Sequence, residues 1–302
     1  MQPQYGPLTI GWIVQWVILW GSWLVWPLMG WLTWQVVRHA RAMSLGQKAR
    51  VAAGLLLTLW FVEMRFIEPA LIVERRTVLN LGFEARLAVI SDYHMGLYKG
   101  PAFLQRVVDR LNAMPLDAVL IAGDHLHEPD RPLHELLAPL SKLRRPAYSV
   151  PGNHDESKPG PPVRDELRQA LQAVGVVPVE YRHAVLDRFE IVGLGVHFAG
   201  LDGIQPLLAA PTDKPRIVLM HNPDTAMSLP AGSATLAVAA HTHGGQIRIP
   251  LLYRHVIPCR YPFDRGLHTF APVPTFVTTG LGEVGLPMRF LNPPVIDVLE
   301  IR

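Results

Sequence analysis

The chain has 302 residues, a net charge of +3, one cysteine and 49% hydrophobic residues. A lone Cys259 excludes an intrachain disulfide scaffold and a thiolate metal site. Three surplus positive charges, with no dense basic run past residue 50, give too little phosphate-neutralising surface for a nucleic-acid-binding protein. The averages conceal a division. Residues 1–37 carry no Asp, Glu, Lys or Arg, and all eight tryptophans fall in the first 60 residues. Twelve of the 13 histidines lie between His94 and His268. The pattern predicts a membrane-embedded head, residues 1–69, joined to a water-soluble, histidine-rich body, residues 70–302.

The uncharged stretch Leu8–Val37 is longer than the roughly 20 residues needed to cross a bilayer. Gly21, Ser22 and Pro27 are candidate bend points, and a tight hairpin is the competing reading. At 100° per residue, Trp12, Trp16, Trp20, Trp23, Trp26, Trp31 and Trp34 fall within an arc of about 140°. Such a stripe is expected of one continuous helix and has no reason to appear across a hairpin. A cleaved signal peptide fits poorly, because no basic residue precedes the apolar run and the run is too long.

Arg38, His39, Arg41, Lys48 and Arg50 follow, a basic loop that the positive-inside rule keeps cytoplasmic. Val51–Val62 is a second apolar run, continued to Ile67 but interrupted by Glu63 and Arg65. Snorkelling of Arg65 to the interface would complete a short second span over residues 51–67. Two spans place the body outside the cytoplasm, and this is the favoured reading. One span plus an interfacial helix leaves it inside.

From Leu71 the texture changes to short β-branched runs alternating with amphipathic stretches. Expected strands are Leu71–Val78, Ala85–Ser91, Asp117–Ala122, Ala147–Val150, Glu190–Gly195, Arg216–Met220, Thr235–Ala239, Thr275–Thr278 and Val295–Ile301. Helical patterning appears over Pro101–Ala113, Pro132–Leu143 and Val163–Val174. The alternation predicts a layered α/β domain.

Polar clusters stand just past five of these strands: Asp92-Tyr-His94, Gly123-Asp124, Gly152-Asn153-His154-Asp155, His221-Asn222 and His241-Thr-His243. Carboxyl ends of buried strands are where α/β sheets place ligand sites. In Asp-x-His and His-x-His, residues two apart in extended chain share a face, so both reach one small volume. Neighbouring glycines permit close backbone approach. Donors of Asp, His and Asn without thiolate suit Mn, Fe or Zn. Taken singly each cluster reads as a turn. Five in order, all at strand ends, predict a metal site.

These motifs resemble those of the calcineurin-like metallophosphoesterases, over residues 70–302. His241-Thr-His243-Gly-Gly-Gln246, Tyr261-Pro-Phe-Asp-Arg-Gly266, Gly280-Leu-Gly-Glu-Val-Gly-Leu-Pro-Met-Arg289 and Asn292-Pro-Pro294 are similar to the membrane-anchored or exported bacterial branch. That branch includes phosphodiesterases and UDP-diacylglucosamine pyrophosphatases. The resemblance implies a two-sheet β-sandwich flanked by helices and two divalent metal ions. Asp92, His94, Asp124 and His243 would hold one metal. Asp124 would bridge to a second held by Asn153, His221 and His241, and His154 would face the substrate. Metal-activated water would then attack a phosphodiester, phosphomonoester or pyrophosphate. The partners implied are a phosphate ester or nucleotide-lipid substrate and the bilayer, with no obligate protein partner. A non-catalytic scaffold retaining the fold is the alternative.

Two departures stand out. His125 and His127 occupy Gly-Asp-His-Leu-His127 where the family usually has Gly-Asp-x-x-Asp, and Ala240 replaces the usual Gly before His-x-His. His39, His134, His183, His255 and His268 read as loop, surface or packing residues. His197, near an expected strand end, is left open, and Asp202 reads as a turn residue.

Overall fold

A computed structural model of the chain describes residues 10–156, 163–209 and 213–302. The first apolar stretch forms one nearly unbroken helix: α1 (Ile10–Gly21), a single 3-10 turn at Ser22–Leu24, and α2 (Val25–His39). The expected start at Leu8 lies outside the described residues. The backbone stays right-handed helical through the turn, so no hairpin forms there. The tightened turn has a cause. Pro27 has no N–H to give the carbonyl of Trp23, and its ring crowds that carbonyl, so the pattern changes just upstream.

The chain reverses after His39. Ser44 starts α3 (Leu45–Val62) with a capping box, its hydroxyl accepting from Gln47 N at 3.3 Å while Gln47 Oε1 accepts from Ser44 N at 2.8 Å. α3 returns along α2. Gly54 makes this approach close, since a Cβ there would meet Leu32 Cδ1 at 3.2 Å. A π-helical turn, Glu63–Ile67, and a 3-10 turn, Glu68–Ala70, lead into the body. Arg65, expected to snorkel to an interface, bonds across the hairpin. Its Nε donates to Ser22 Oγ at 2.9 Å, and Trp23 and Trp26 close on the neighbouring Phe66 at ring distances of 5.1 and 5.5 Å. Among the described residues one helix, Ile13–His39, is long and apolar enough to cross a membrane.

The body's strands are β1 (Val73–Leu79), β2 (Ala85–Ile90), β3 (Met95–Gly96), β4 (Ala118–Ile121), β5 (Leu126–His127), β6 (Ala147–Ser149) and β7 (Val176–Pro178). Its second half adds β8 (His183–Val185), β9 (Glu190–Gly193), β10 (Arg216–Leu219), β11 (Leu236–Ala239), β12 (Gly266–His268), β13 (Thr275–Val277) and β14 (Val295–Ile301). One sheet runs β1-β14-β2-β4-β6-β7 and the other β12-β13-β11-β10-β9-β8, with β3 and β5 as a small parallel pair. The centres of both sheets are parallel, β2-β4-β6 and β9-β10-β11-β13, so their carboxyl ends emerge together.

Period-two alternation decides the layers. Leu87, Val89 and Leu120 pack against Ile191, Leu219 and Val238 of the other sheet, forming the inner layer. The intervening Ala88, Ile90, Val119 and Ile121 face α4 (Pro101–Ala113), α5 (Leu133–Leu137) and α6 (Arg164–Ala173). This is the expected two-sheet sandwich with flanking helices. The expected helix Pro132–Leu143 splits, its second half becoming 3-10 at Ala138–Lys142, because Pro139 cannot donate to the preceding turn. Strands β3, β5, β7, β8 and β12 were not anticipated, being too short to show alternation.

The loop from Gly280 to Asn292 ties the hairpin to the sandwich. Arg289, fully buried, donates to the carbonyls of Gly282 (2.6 Å), Asn292 (2.9 Å) and Thr279 (3.2 Å) and lies 3.5 Å from Glu283. Lys99 completes the cluster, 3.2 Å from Glu283 and donating to Pro69 O at 2.6 Å. The Glu68 carboxylate accepts from the backbone of Leu291 at 2.9 Å and from Asn292 N. Replacing Arg289 with leucine strips these carbonyls and one partner of Glu283, a loss of about 3–5 kcal/mol. Thermal unfolding of the detergent-solubilised Arg289→Leu chain is expected to occur well below wild type.

Candidate metal centre

Each candidate ligand sits where a central strand ends and the chain turns sharply. Asp92, His94, Asp124, His241 and His243 all have positive φ, between 45° and 68°. The left-handed region costs a non-glycine residue roughly 1–2 kcal/mol, so this clustering marks a site whose geometry is imposed by its surroundings. Backbone bonds hold the turns: Asp92 N donates to Gly123 O at 2.9 Å and His94 N to Asp124 O at 3.3 Å.

The side chains converge in two groups. Ligand atoms of Asp92, His94, Asp124 and His243 lie within 4.8 Å of one another, as do those of Asp124, His221 and His241. Asn153 Oδ1 joins the second group, 3.1 Å from His221 Nε2. Asp124 belongs to both. Its Oδ1 accepts the backbone N–H of His154 at 2.9 Å, leaving Oδ2 between His221 Nε2 at 3.3 Å and His94 Nε2 at 3.7 Å.

Outer bonds set which ring nitrogens face inward. His221 Nδ1 meets Ala122 O at 2.7 Å and His94 Nδ1 meets Leu126 O at 3.3 Å, which turns each Nε2 toward the centre. Burial opposes a charge on His221, but the Asp124 carboxylate outweighs it and raises that ring to about 9, so a cation held there would displace a proton. Burial holds His94 and His243 well below the usual imidazole range and, with His221 nearby, lowers His241 to about 3. These rings therefore stay neutral and able to ligate. His94 Nε2 and His243 Nε2 approach to 3.1 Å, and Asp92 Oδ1, fully buried, has no hydrogen-bond partner among the described residues. A buried carboxylate oxygen without a donor is costly in a dry site, and a divalent cation held among these atoms would supply its partner. The donor set fits hard or borderline divalent metals.

Residues 85–245, more than half the chain, match the family model for the calcineurin-like phosphoesterase. The chain belongs to that family. It is 27% identical over 256 residues to an uncharacterised metallophosphoesterase, YkuE, of Bacillus subtilis, covering 79% of this chain and 88% of that one. It is 29% identical to the phosphodiesterase YaeI of Escherichia coli, with 61% of this chain and 70% of that one covered. A transmembrane protein with metallophosphoesterase domain from Danio rerio is 29% identical over 72% of this chain, which spans only 53% of that protein.

Around this calcineurin-like centre lie groups that the motifs alone did not assign. His125 serves structure: its Nδ1 pairs with Asp155 at 2.8 Å and its Nε2 with Ser149 Oγ at 2.7 Å. Asp155 also accepts from Gly152 N at 2.9 Å and from the backbone of His125 and Leu126, and so fixes the loop bearing Asn153 and His154. His154 lines the main cavity, its ring 4.8 Å from that of His94. His127 lies 5.3 Å from the His154 ring and can form a third cluster with His94 and His154. Burial, with His154 beside it, lowers His127 to about 3. Its Nε2 is bonded at 2.7 Å to Gln15 Oε1 on α1, and Tyr98 Oη donates to the same amide oxygen at 3.1 Å. The signal for Gln15 was present, one of two amides (with Gln35) in an apolar stretch, but nothing in the sequence named its partner. His39, His134, His183, His255 and His268 stand outside the clusters. His197 pairs instead with Asp202 at 2.6 Å, and Asp202 accepts from Thr225 at 2.8 Å, so it is more than a turn residue.

The cavity measures about 700 Å³, with Asp124, Asn153, His154, His241 and His243 at its base. Much of its remaining wall is apolar, including Phe198, Ile249, Leu252, Val256 and Leu286, with the Phe198 ring 5.1 Å from that of His241.

Two outcomes test this construction. Gly280 has φ +68°, and a Cβ there would stand 2.7 Å from the Cβ of Asp92. Gly280→Ala is therefore expected to displace Asp92 and to weaken metal retention by about tenfold or more, read by elemental analysis after dialysis. Gln15→Leu leaves the His127 imidazole without its partner, worth about 1–3 kcal/mol. Its turnover is expected to fall while Gln35→Leu, at the far end of the same helix, matches wild type.

Proposed function

We propose that the protein is a membrane-anchored phosphoesterase that uses two divalent metals to hydrolyse phosphoric ester or pyrophosphate bonds. One observation carries the reading: a single buried carboxylate, Asp124, directs one oxygen toward two separate imidazole groups drawn from both sheets. Asp92, His94 and His243 would hold one ion, and Asn153, His221 and His241 the other, with Asp124 shared. When bound, such a pair lowers the pKa of a coordinated water and neutralises charge on the phosphoryl oxygens.

The chain's own residues do the rest. The outer bonds from Ala122 O and Leu126 O orient the ligating imidazoles, and the Asp155 loop holds His154 over the cavity. A ring N–H of His154, directed at substrate, would bond a phosphoryl oxygen or give its proton to the leaving oxygen. The apolar wall favours a phosphoester carrying a hydrophobic group; a UDP-2,3-diacylglucosamine pyrophosphatase-like role would go with the single-span topology, and a lipid-borne or exported phosphodiester with two spans. The E. coli relative's name, phosphodiesterase, supports ester hydrolysis.

Hairpin geometry supports two spans. Gln15 bonds His127 at one end of the long helix, and Trp60 rests on Phe290 of the body at a ring distance of 5.4 Å as α3 returns. Both ends of the hairpin thus meet the body, and a bilayer crossed by α1–α2 would be crossed back by α3. The basic loop Arg38–Arg50 would stay cytoplasmic and the catalytic body would lie outside. An extracytoplasmic body meets lipid-borne or exported phosphoesters, whereas a nucleotide-lipid made at the cytoplasmic leaflet requires the opposite side.

Asp124→Asn is expected to abolish hydrolysis of a chromogenic phosphodiester and to lower bound metal at both sites; full metal occupancy with normal turnover would sink the assignment. His154→Ala is expected to slow turnover by about 10²–10⁴-fold with metal content intact. Reporter fusions at residue 45 and after Arg302 are expected to report cytoplasm and exterior respectively.

A further inference from the structure

The cavity's apolar wall continues outward into a knob, residues 249–258, that carries large aliphatic side chains into the open. Leu251 is 87% exposed, Val256 67% and Leu252 60%. Contiguous apolar exposure of this kind marks an interaction surface. The knob is also held firmly. Leu252 N and Tyr253 N both bond Ile249 O at 3.1 Å, and the Arg248 guanidinium lies 3.8 Å over the Tyr253 ring. Tyr253 Oη and Arg248 Nη2 both donate to Asp264 at 3.2 Å, and Arg248 Nη1 to Gly244 O at 2.7 Å. The aliphatic tips are therefore presented by a fixed base.

Two further observations identify what covers them. Arg248, Arg254 and Arg260 fall in residues 247–263, a stretch with no Asp or Glu, and Arg254 and Arg260 are exposed beside the tips. The knob also emerges next to the hairpin. Phe290 N bonds Gln246 O at 3.1 Å and Arg248 N bonds Phe290 O at 2.9 Å, while the Phe290 ring packs edge-on against Trp60 of α3. Aliphatic tips accompanied by the exposed Arg254 and Arg260, adjoining a helix pair with exposed apolar side chains, match an anionic bilayer: acyl chains for the leucines, headgroup phosphates for the arginines.

We propose that residues 249–258 are a second membrane contact, inserting Leu251, Leu252 and Val256 into the leaflet nearest the body. The inference rests on the membrane-anchored reading above. It sets the mouth of the metal cavity at headgroup level, because Leu252 and Val256 belong both to the cavity wall and to the inserted tip.

The test uses the full chain with Cys259→Ser, carrying one cysteine at Leu251, at Leu57 on the exposed face of α3, or at Val185 on the far edge of the second sheet. Each is labelled with an environment-sensitive fluorophore and placed in nanodiscs of phosphatidylcholine with phosphatidylglycerol. Labels at 251 and 57 are expected to blue-shift and to be quenched by spin-labelled lipid, and the label at 185 to remain water-exposed. Arg254→Glu with Arg260→Glu is expected to reduce quenching at 251 and leave it unchanged at 57. A lipid-exposed 57 with a water-exposed 251 overturns the proposal and leaves the hairpin reading standing. Water exposure at both positions overturns both. Quenching at 251 that persists in pure phosphatidylcholine and in the double glutamate chain overturns the anionic-lipid assignment.

Discussion

Asp124 Oδ2 stands between imidazoles that arrive from different sheets, and the rest of the body is arranged to keep it there. His94 comes from the end of β2, His221 from the end of β10, and no local segment can bring them within reach of one carboxylate. Only two parallel-centred sheets packed face to face, with their carboxyl ends aligned, place both. The dry inner layer of Leu87, Val89, Leu120, Ile191, Leu219 and Val238 fixes the distance between the sheets. A core of that density transmits small volume changes instead of absorbing them. A lost methyl group deep in that layer therefore acts on the spacing of the ligands.

The strain is local and the compensation is distributed. Five of the expected ligands, Asp92, His94, Asp124, His241 and His243, hold left-handed backbone. The opposing gains come from elsewhere: the Asp155 carboxylate gathering three backbone N–H groups, the Arg289–Glu283–Lys99 cluster, and the Gly282 N–H donating to Asp92 O at 2.6 Å. None of these groups touches the space where a phosphoester would sit. Their role is to make the strained turns the lowest-energy choice for the chain.

Much of this was legible beforehand, for physical reasons. Buried central strands read as continuous β-branched runs, so β2, β4, β10 and β11 announced themselves, and the polar residues after each run marked the site. All eight expected site residues, Asp92, His94, Asp124, Asn153, His154, His221, His241 and His243, meet in one region. The edge strands of two or three residues were illegible, because alternation needs length to show. Contacts made across large sequence separations were also hidden. The Asp155–His125 pair spans 30 positions and the Gln15–His127 bond spans 112, and neither residue type foretells its partner. The bond from Arg65 to Ser22, 43 positions apart, was hidden for the same reason.

The bond from Gln15 to His127 changes what the amino-terminal helix is for. A tether is interchangeable: any helix of the same length and hydropathy keeps a body at a surface. Here the helix supplies an amide to His127, beside the expected metal ligands, so replacing it by an unrelated helix of equal hydropathy would remove that partner. Hairpin and body form a single heritable unit. A substitution at position 15 or 127 removes the hydrogen-bond partner of the other, although 112 positions separate the two in the chain.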